Sequence, residues 1–145
     1  MISREQVLDT YEAVVEQACN FRKEGKEVTT TFFLVLPDRT VTVPASMAQT
    51  DSKQQLVAFV RATVAYMGAR YVIHVGEAWV SMIADGKAPS EQPDRTEVIL
   101  VTVEGPGLRR IATIPILPDN TLGERTESNE FGGLFTNFTD SEEDN

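Results

Sequence analysis

The feature that most limits how this chain can fold is a change of apolar period near residue 70. Upstream, apolar residues recur at helical spacing; from Tyr71 they recur at every second position. Tyr71, Ile73, Val75, Glu77, Trp79 and Ser81 share one face of the resulting strand. Val72, His74, Gly76, Ala78, Val80 and Met82 share the other. Both sets are largely apolar, so this strand is central and covered on both sides for part of its length. Residues 84–93, ADGKAPSEQP, form a loop rich in turn residues. DRTEVILVTVEG comes next as a second strand, Pro106-Gly107 turns the chain, and LRRIATIPIL returns as a third. Pro115 places that last strand at an edge, because proline has no N–H to donate to a ladder.

The upstream half alternates helices with a hairpin. Over residues 3–23, Val7, Tyr11, Val14, Ala18 and Phe21 follow one helical stripe, which Leu8 and Val15 widen. Ser3 with Gln6 three residues on has the form of a capping box, and Gly25 is placed to end the helix. EVTTTFFLVLPDRTVTVPA reads as a hairpin with strands at residues 28–36 and 40–43, turning at Pro37-Asp38. A second helix comes after it, capped by Thr50 or Asp51, buried through Leu56, Phe59, Val60, Val64 and Met67, and ended by Gly68. The order is α-β-β-α-β-β-β. This is a single α+β domain over residues 1–117, with a mainly antiparallel sheet and both helices expected on one face.

Charge separates that domain from the residues beyond it. Eight acids against the single base Arg125 give residues 118–145 a net charge of −7, leaving −2 for residues 1–117. A nearly neutral body without a basic patch disfavours direct nucleic-acid binding, and it lacks the spread of surface carboxylates that mimicry of DNA needs. The acidic tail, rich in Asn, Ser, Thr and Gly, is expected to be disordered. Phe131, Leu134, Phe135 and Phe138 stand within it as apolar residues among acids. That pattern suits either a partner's groove or packing back on the domain itself.

No apolar run approaches the roughly 20 residues that span a bilayer, and the amino terminus reads as a helix rather than a secretory leader. One cysteine, Cys19, permits no internal disulfide, and a cytoplasmic location is the expectation.

Candidate chemistry is thin. The single histidine, His74, and the single cysteine supply two of the roughly four ligands a structural zinc requires, and no nucleophile-elbow motif is present. His74 reads as a packing residue and Cys19 as a small helix residue near the core. No cofactor or metal is expected. The better catalytic candidates are carboxylates on the central hairpin: Glu77, Glu97 and Asp94. Two acids on adjacent strands can hold Mg²⁺ or divide acid and base roles, as a metal-dependent hydrolase would require. Arg70, Arg95 and Arg109 on the same strands can equally neutralise them, and a cross-strand Glu–Arg pair stabilises a sheet by about 0.2–1 kcal/mol without any further role. Trp79 is expected to anchor packing between helix and sheet, or else to line a small-molecule pocket.

GEAWV on one strand, PSEQPDRTEVILV opening the next and the subsequent LRRIATIPI resemble small bacteriophage and bacterial proteins with an E-A-W strand followed by a P-x-R-x-E strand. The resemblance covers residues 70–116, and no reaction is attached to that group. It implies a compact intracellular domain of phage or mobile-element origin, with Glu77, Trp79, Arg95 and Glu97 as its marked positions. The leading expectation is a non-enzymatic accessory or host-modulating protein that acts by protein–protein interaction, including as a homodimer through an exposed strand edge.

Overall fold

The computed structural model describes residues 2–81, 85–129 and 138–139. Helix α1 (Arg4–Lys23) leads into strands β1 (Thr31–Val35) and β2 (Thr40–Pro44). A single 3-10 turn, Ala45–Ala48, and helix α2 (Lys53–Met67) then cross to β3 (Tyr71–Val80), β4 (Thr96–Gly105), β5 (Leu108–Ile116) and a short β6 (Thr126–Ser128). The six strands form one sheet in the order β2-β1-β3-β4-β5-β6, with every neighbouring pair antiparallel. The α+β class and the order of elements as far as β5 are those expected; β6 was not expected.

The helix ends follow their local chemistry. Ser3 and Gln6 complete the capping box: the Gln6 N–H donates to Ser3 Oγ and the Ser3 N–H donates to Gln6 Oε1. At α2 the cap is Ser52 rather than Thr50 or Asp51. Its hydroxyl accepts from the Gln55 N–H at 3.3 Å, while Thr50 braces the Ser52 N–H from two residues upstream. Gly68 ends α2 in the left-handed conformation (φ 72°), where a Cβ would add strain.

The helices do not share a face. Val7, Tyr11, Val15 and Ala18 of α1 pack with Tyr71, Ile73, Val101 and Ile114. Leu56, Val57, Val60 and Val64 of α2 pack with Phe32, Leu34, Val43 and Val72. Neighbouring residues such as Tyr71 and Val72 belong to different clusters, and successive strand side chains point to opposite sides. The expectation of both helices on one face is therefore corrected to one helix per face. The reason lies in the sequence: the central strands are apolar on both sides, and each apolar side requires its own cover. The α2 crossover, which carries the chain from β2 over β1 to β3, supplies the second cover.

Two close approaches tighten the sheet. At the β4–β5 turn, a Cβ on Gly105 would lie 2.2 Å from the Tyr71 ring and 2.5 Å from the Arg70 carbonyl, so only glycine fits. The expectation that Pro115 puts its strand at an edge is corrected, because β6 pairs beyond that strand at Ile111–Thr113; Pro115, two residues past this pairing, costs no ladder bond. Its missing N–H faces away from β4, on the side where its carbonyl accepts from the Gly123 N–H at 2.8 Å.

The acidic segment is not disordered as far as residue 129. Leu122 bridges to Ile116 and packs beside the α1 cluster, and Thr126–Ser128 pairs with Ile111–Thr113 as β6. Arg125 secures this strand, donating to both carboxylate oxygens of Glu12 on α1 (2.8 and 2.7 Å) and to Glu127 through Nε (2.6 Å). Tyr11 Oη donates to Glu127 from beneath at 3.0 Å. The bonds from Arg125 hold the Glu12 carboxyl below its usual range, while burial, and then the Glu127 charge, raises the Tyr11 phenol. Bidentate charge-assisted bonds of this kind supply what a three-residue strand lacks in ladder length.

Candidate functional site

The two best carboxylate candidates do come together. In the β3–β4 register Trp79 lies opposite Glu97 and Glu77 opposite Ile99, which makes Glu77 and Glu97 diagonal neighbours on the α1 face. The last turn of α1 passes over them. Arg22 places Nη1 3.6 Å from Glu77 and Nη2 3.5 Å from Glu97, and Nη2 also donates to Asn120 Oδ1 at 3.2 Å. Glu77 additionally accepts the backbone N–H of Val28 at 2.8 Å, which fastens the entry to β1. A guanidinium thus occupies the position a divalent cation would need, and the Glu77 oxygen is committed to the backbone.

Asp94 lies apart from this pair, accepting a short hydrogen bond from Ser81 Oγ across the open end of the hairpin. No group of three or more His, Cys, Asp or Glu side chains is arranged for a metal among the described residues.

The neutralising arginines differ from those expected. Arg109 does pair with Glu104, its register partner across the hairpin, at 3.5 Å. Arg95 does not serve Glu97: it donates to the Ser90 carbonyl at 2.6 Å and lies 5.0 Å over the Trp79 ring. Arg22 was invisible to strand-based reasoning because it comes from a helix some 55 residues upstream of Glu77 (position 22 against 77). Its only sequence signal was its place in the last helical turn, beside Lys23.

Trp79 is 41% exposed and does not anchor a helix on the sheet, which corrects that expectation. It stands where β3 outruns both helices, at one end of a groove of about 450 Å³. Lys53 and Leu56 of α2 form one wall, the segment 88–90 the other, and Gly76, Ala78 and Leu100 the floor. His74 reaches the same floor. Its ring packs on Phe32 at 5.0 Å between centroids, and burial lowers its pKa to about 4, so it is a neutral packing residue near pH 7. Burial likewise pushes the Cys19 thiol up, which fits a packing role.

Of the tail residues expected to meet a partner, Phe131, Leu134 and Phe135 lie outside the described residues. Phe138 is 5% exposed in the α2 cluster, edge-on to Phe32 with ring centroids 5.3 Å apart and below Arg61. Its backbone N–H donates to the buried Glu104 carboxylate at 3.1 Å. It is a core residue and is not offered to a partner.

The two sheet edges are unlike. One edge is the three-residue β6, braced by Arg125, and the other is the five-residue β2; among the described residues neither has a strand beyond it. The Leu36 N–H donates to Arg39 O, and the Ala45 N–H to Thr30 O, so Arg39, Val41, Val43 and Ala45 direct their backbone groups to β1. Thr40 and Thr42, both exposed, and the Pro44 carbonyl direct theirs outward.

Compared with known protein families, curated proteins and solved structures, the chain matches none.

Proposed function

We propose that this chain is a non-enzymatic protein that acts by protein–protein interaction, with β2 as its docking edge. The observation that carries this reading is the outward row of backbone groups on Thr40, Thr42 and Pro44, which meet no further strand among the described residues, in a sheet whose other edge strand, β6, is only three residues long. Protein edges are commonly blunted by lysines, bulges or a covering element, and β2 carries only Pro44 at one end. An extended segment added there gains main-chain hydrogen bonds. A pocket of about 270 Å³ between Phe21, Phe33 and Thr42 offers room for its alternate side chains. Catalysis by Glu77 and Glu97 is disfavoured because Arg22 already satisfies both. The cytoplasmic setting belongs to the same proposal, as does a phage accessory or host-modulating role, which rests on the resemblance of residues 70–116; no described helix is long and apolar enough to cross a membrane.

Thr42→Pro tests the edge, since it removes an outward N–H and no bond internal to the sheet. Captured partners should be lost while the circular dichroism spectrum is kept; retention of the same partners would remove β2 from the mechanism. Mg²⁺ or Mn²⁺ at millimolar concentration should leave the melting temperature unchanged, and a rise abolished by Glu97→Gln would restore the hydrolase reading.

The groove beside Trp79 favours a second reading, a small-molecule site. Trp79 is the only tryptophan, so a ligand entering the groove must shift the intrinsic emission. A metabolite panel that leaves emission and melting temperature unmoved counts against it.

A further inference from the structure

We infer that the occupant of the β2 edge is a second copy of this chain, paired antiparallel about a two-fold axis through Thr42. The inference rests on the proposed role of that edge and names its partner. The outward groups of β2 are self-complementary. With Thr42 opposite Thr42 of the copy, each Thr42 N–H meets the other's carbonyl, and each Thr40 N–H meets the Pro44 carbonyl of the copy. Every outward N–H of β2 is then used, and no bond requires the N–H that Pro44 lacks.

Side chains select this register over its neighbour. On the α2 face, Val41 falls opposite Val43 of the copy, twice, which extends the apolar row that Val43 already forms with Phe32. A shift of two residues one way would set Val43 against Arg39, and the other way would set Thr42 against Pro44, which has no N–H to return. In the chosen register Arg39 instead falls opposite Ala45 of the copy. There Glu27 shares a surface pocket with Pro44, Ala45 and Ser46. Arg39, which contacts Asp38 of its own chain at 3.2 Å, stands at this end of the new ladder in each copy. An isologous contact of this kind closes on itself, so the edge is consumed and no fibre forms. The six-stranded sheet becomes one continuous sheet through both copies.

A five-residue edge is a small contact, so the dimer is of the weak, concentration-dependent class. Sedimentation velocity on the full chain from about 10 μM to 1 mM should show dimer increasing with concentration. Thr42→Lys sets two like charges directly opposite on the axis and should return the protein to monomer, as should Thr42→Glu. An equimolar mixture of the two variants should recover a dimer of mixed composition, a result that requires Thr42 to face Thr42 and that misfolding cannot imitate. Wild-type protein that is monomeric up to about 1 mM overturns the inference, and so does a dimer indifferent to both substitutions. In either case, if binding of another protein is still lost in Thr42→Pro, the edge reading survives without the homodimer. If that binding also persists, both fall.

Discussion

Glu77 and Glu104 occupy opposite ends and opposite faces of the central hairpin, and they are held alike. Each faces an arginine and accepts a backbone N–H from a segment outside the hairpin: Val28 for Glu77, Phe138 for Glu104. Both carboxylates fasten a connection to the sheet. They differ in depth and in the origin of their arginine. Glu104 is almost wholly buried, and its partner Arg109 is its register neighbour across a two-residue turn. Glu77 is nearer the surface and shares Arg22, from a helix, with Glu97. Paired acids on a hairpin can thus be structural when a guanidinium lies between them, and a lone buried acid can be the more consequential of the two.

The deeper end offers the largest effect. Phe138→Ala empties a site between Phe32 and α2, and a buried Phe→Ala change costs about 3 kcal/mol or more. Denaturant unfolding should show that loss; a change under about 1 kcal/mol would mean that the segment carrying Phe138 contributes little to stability. Glu104→Gln keeps an acceptor for the Phe138 N–H but removes the charge facing Arg109. Glu104→Ala removes both and leaves a buried donor without its partner, a penalty of about 1–3 kcal/mol. Equal losses in the two variants would show that the charge alone matters at this end.

At the shallower end, Arg22→Met removes the bridge and leaves Glu77 and Glu97 as facing acids, a loss of about 1–2 kcal/mol, since the groups keep some access to water. Adding Glu97→Gln should recover part of it. If it recovers none, the two acids do not share Arg22 in solution.

A further effect appears only on acidification. His74 is neutral in the fold with a pKa near 4, below its ordinary value of about 6.5. Between those limits the unfolded chain binds the extra proton, so the stability contributed by the neutral ring is complete above about pH 6.5 and declines as pH falls toward 4. Unfolding of His74→Phe should lack this part of the acid slope, and an unchanged slope would assign it to carboxylates alone.

Much of the architecture was legible along the chain. Periodicity marked both helices and the five principal strands, because an amphipathic element repeats with its own geometry whatever surrounds it. The apolar character of both sides of residues 71–75 even contained the need for two covering layers. Counting helices did not reveal that they divide between the faces. The candidate site was legible in its residues but not in its function: Glu77 and Glu97 were found, and the side chain that reconciles them was not. Arg22 announces itself only as a charge at a helix end, and its reach depends on where α1 crosses β3 and β4. For Phe138 the sequence left a partner's groove and the domain itself equally open, because composition does not show which groove lies within reach.

The amino-acid sequence alone determined the set of elements, their order and the apolar sides that had to be covered, all of which arise from local backbone periods and side-chain polarity. The fold alone decided which charges meet, that among the described residues the sheet ends in a five-residue β2 on one side and a three-residue β6 on the other, and that Trp79 stands beside a groove. Those outcomes depend on distances between residues far apart in the chain, and such distances exist only once the layers have packed.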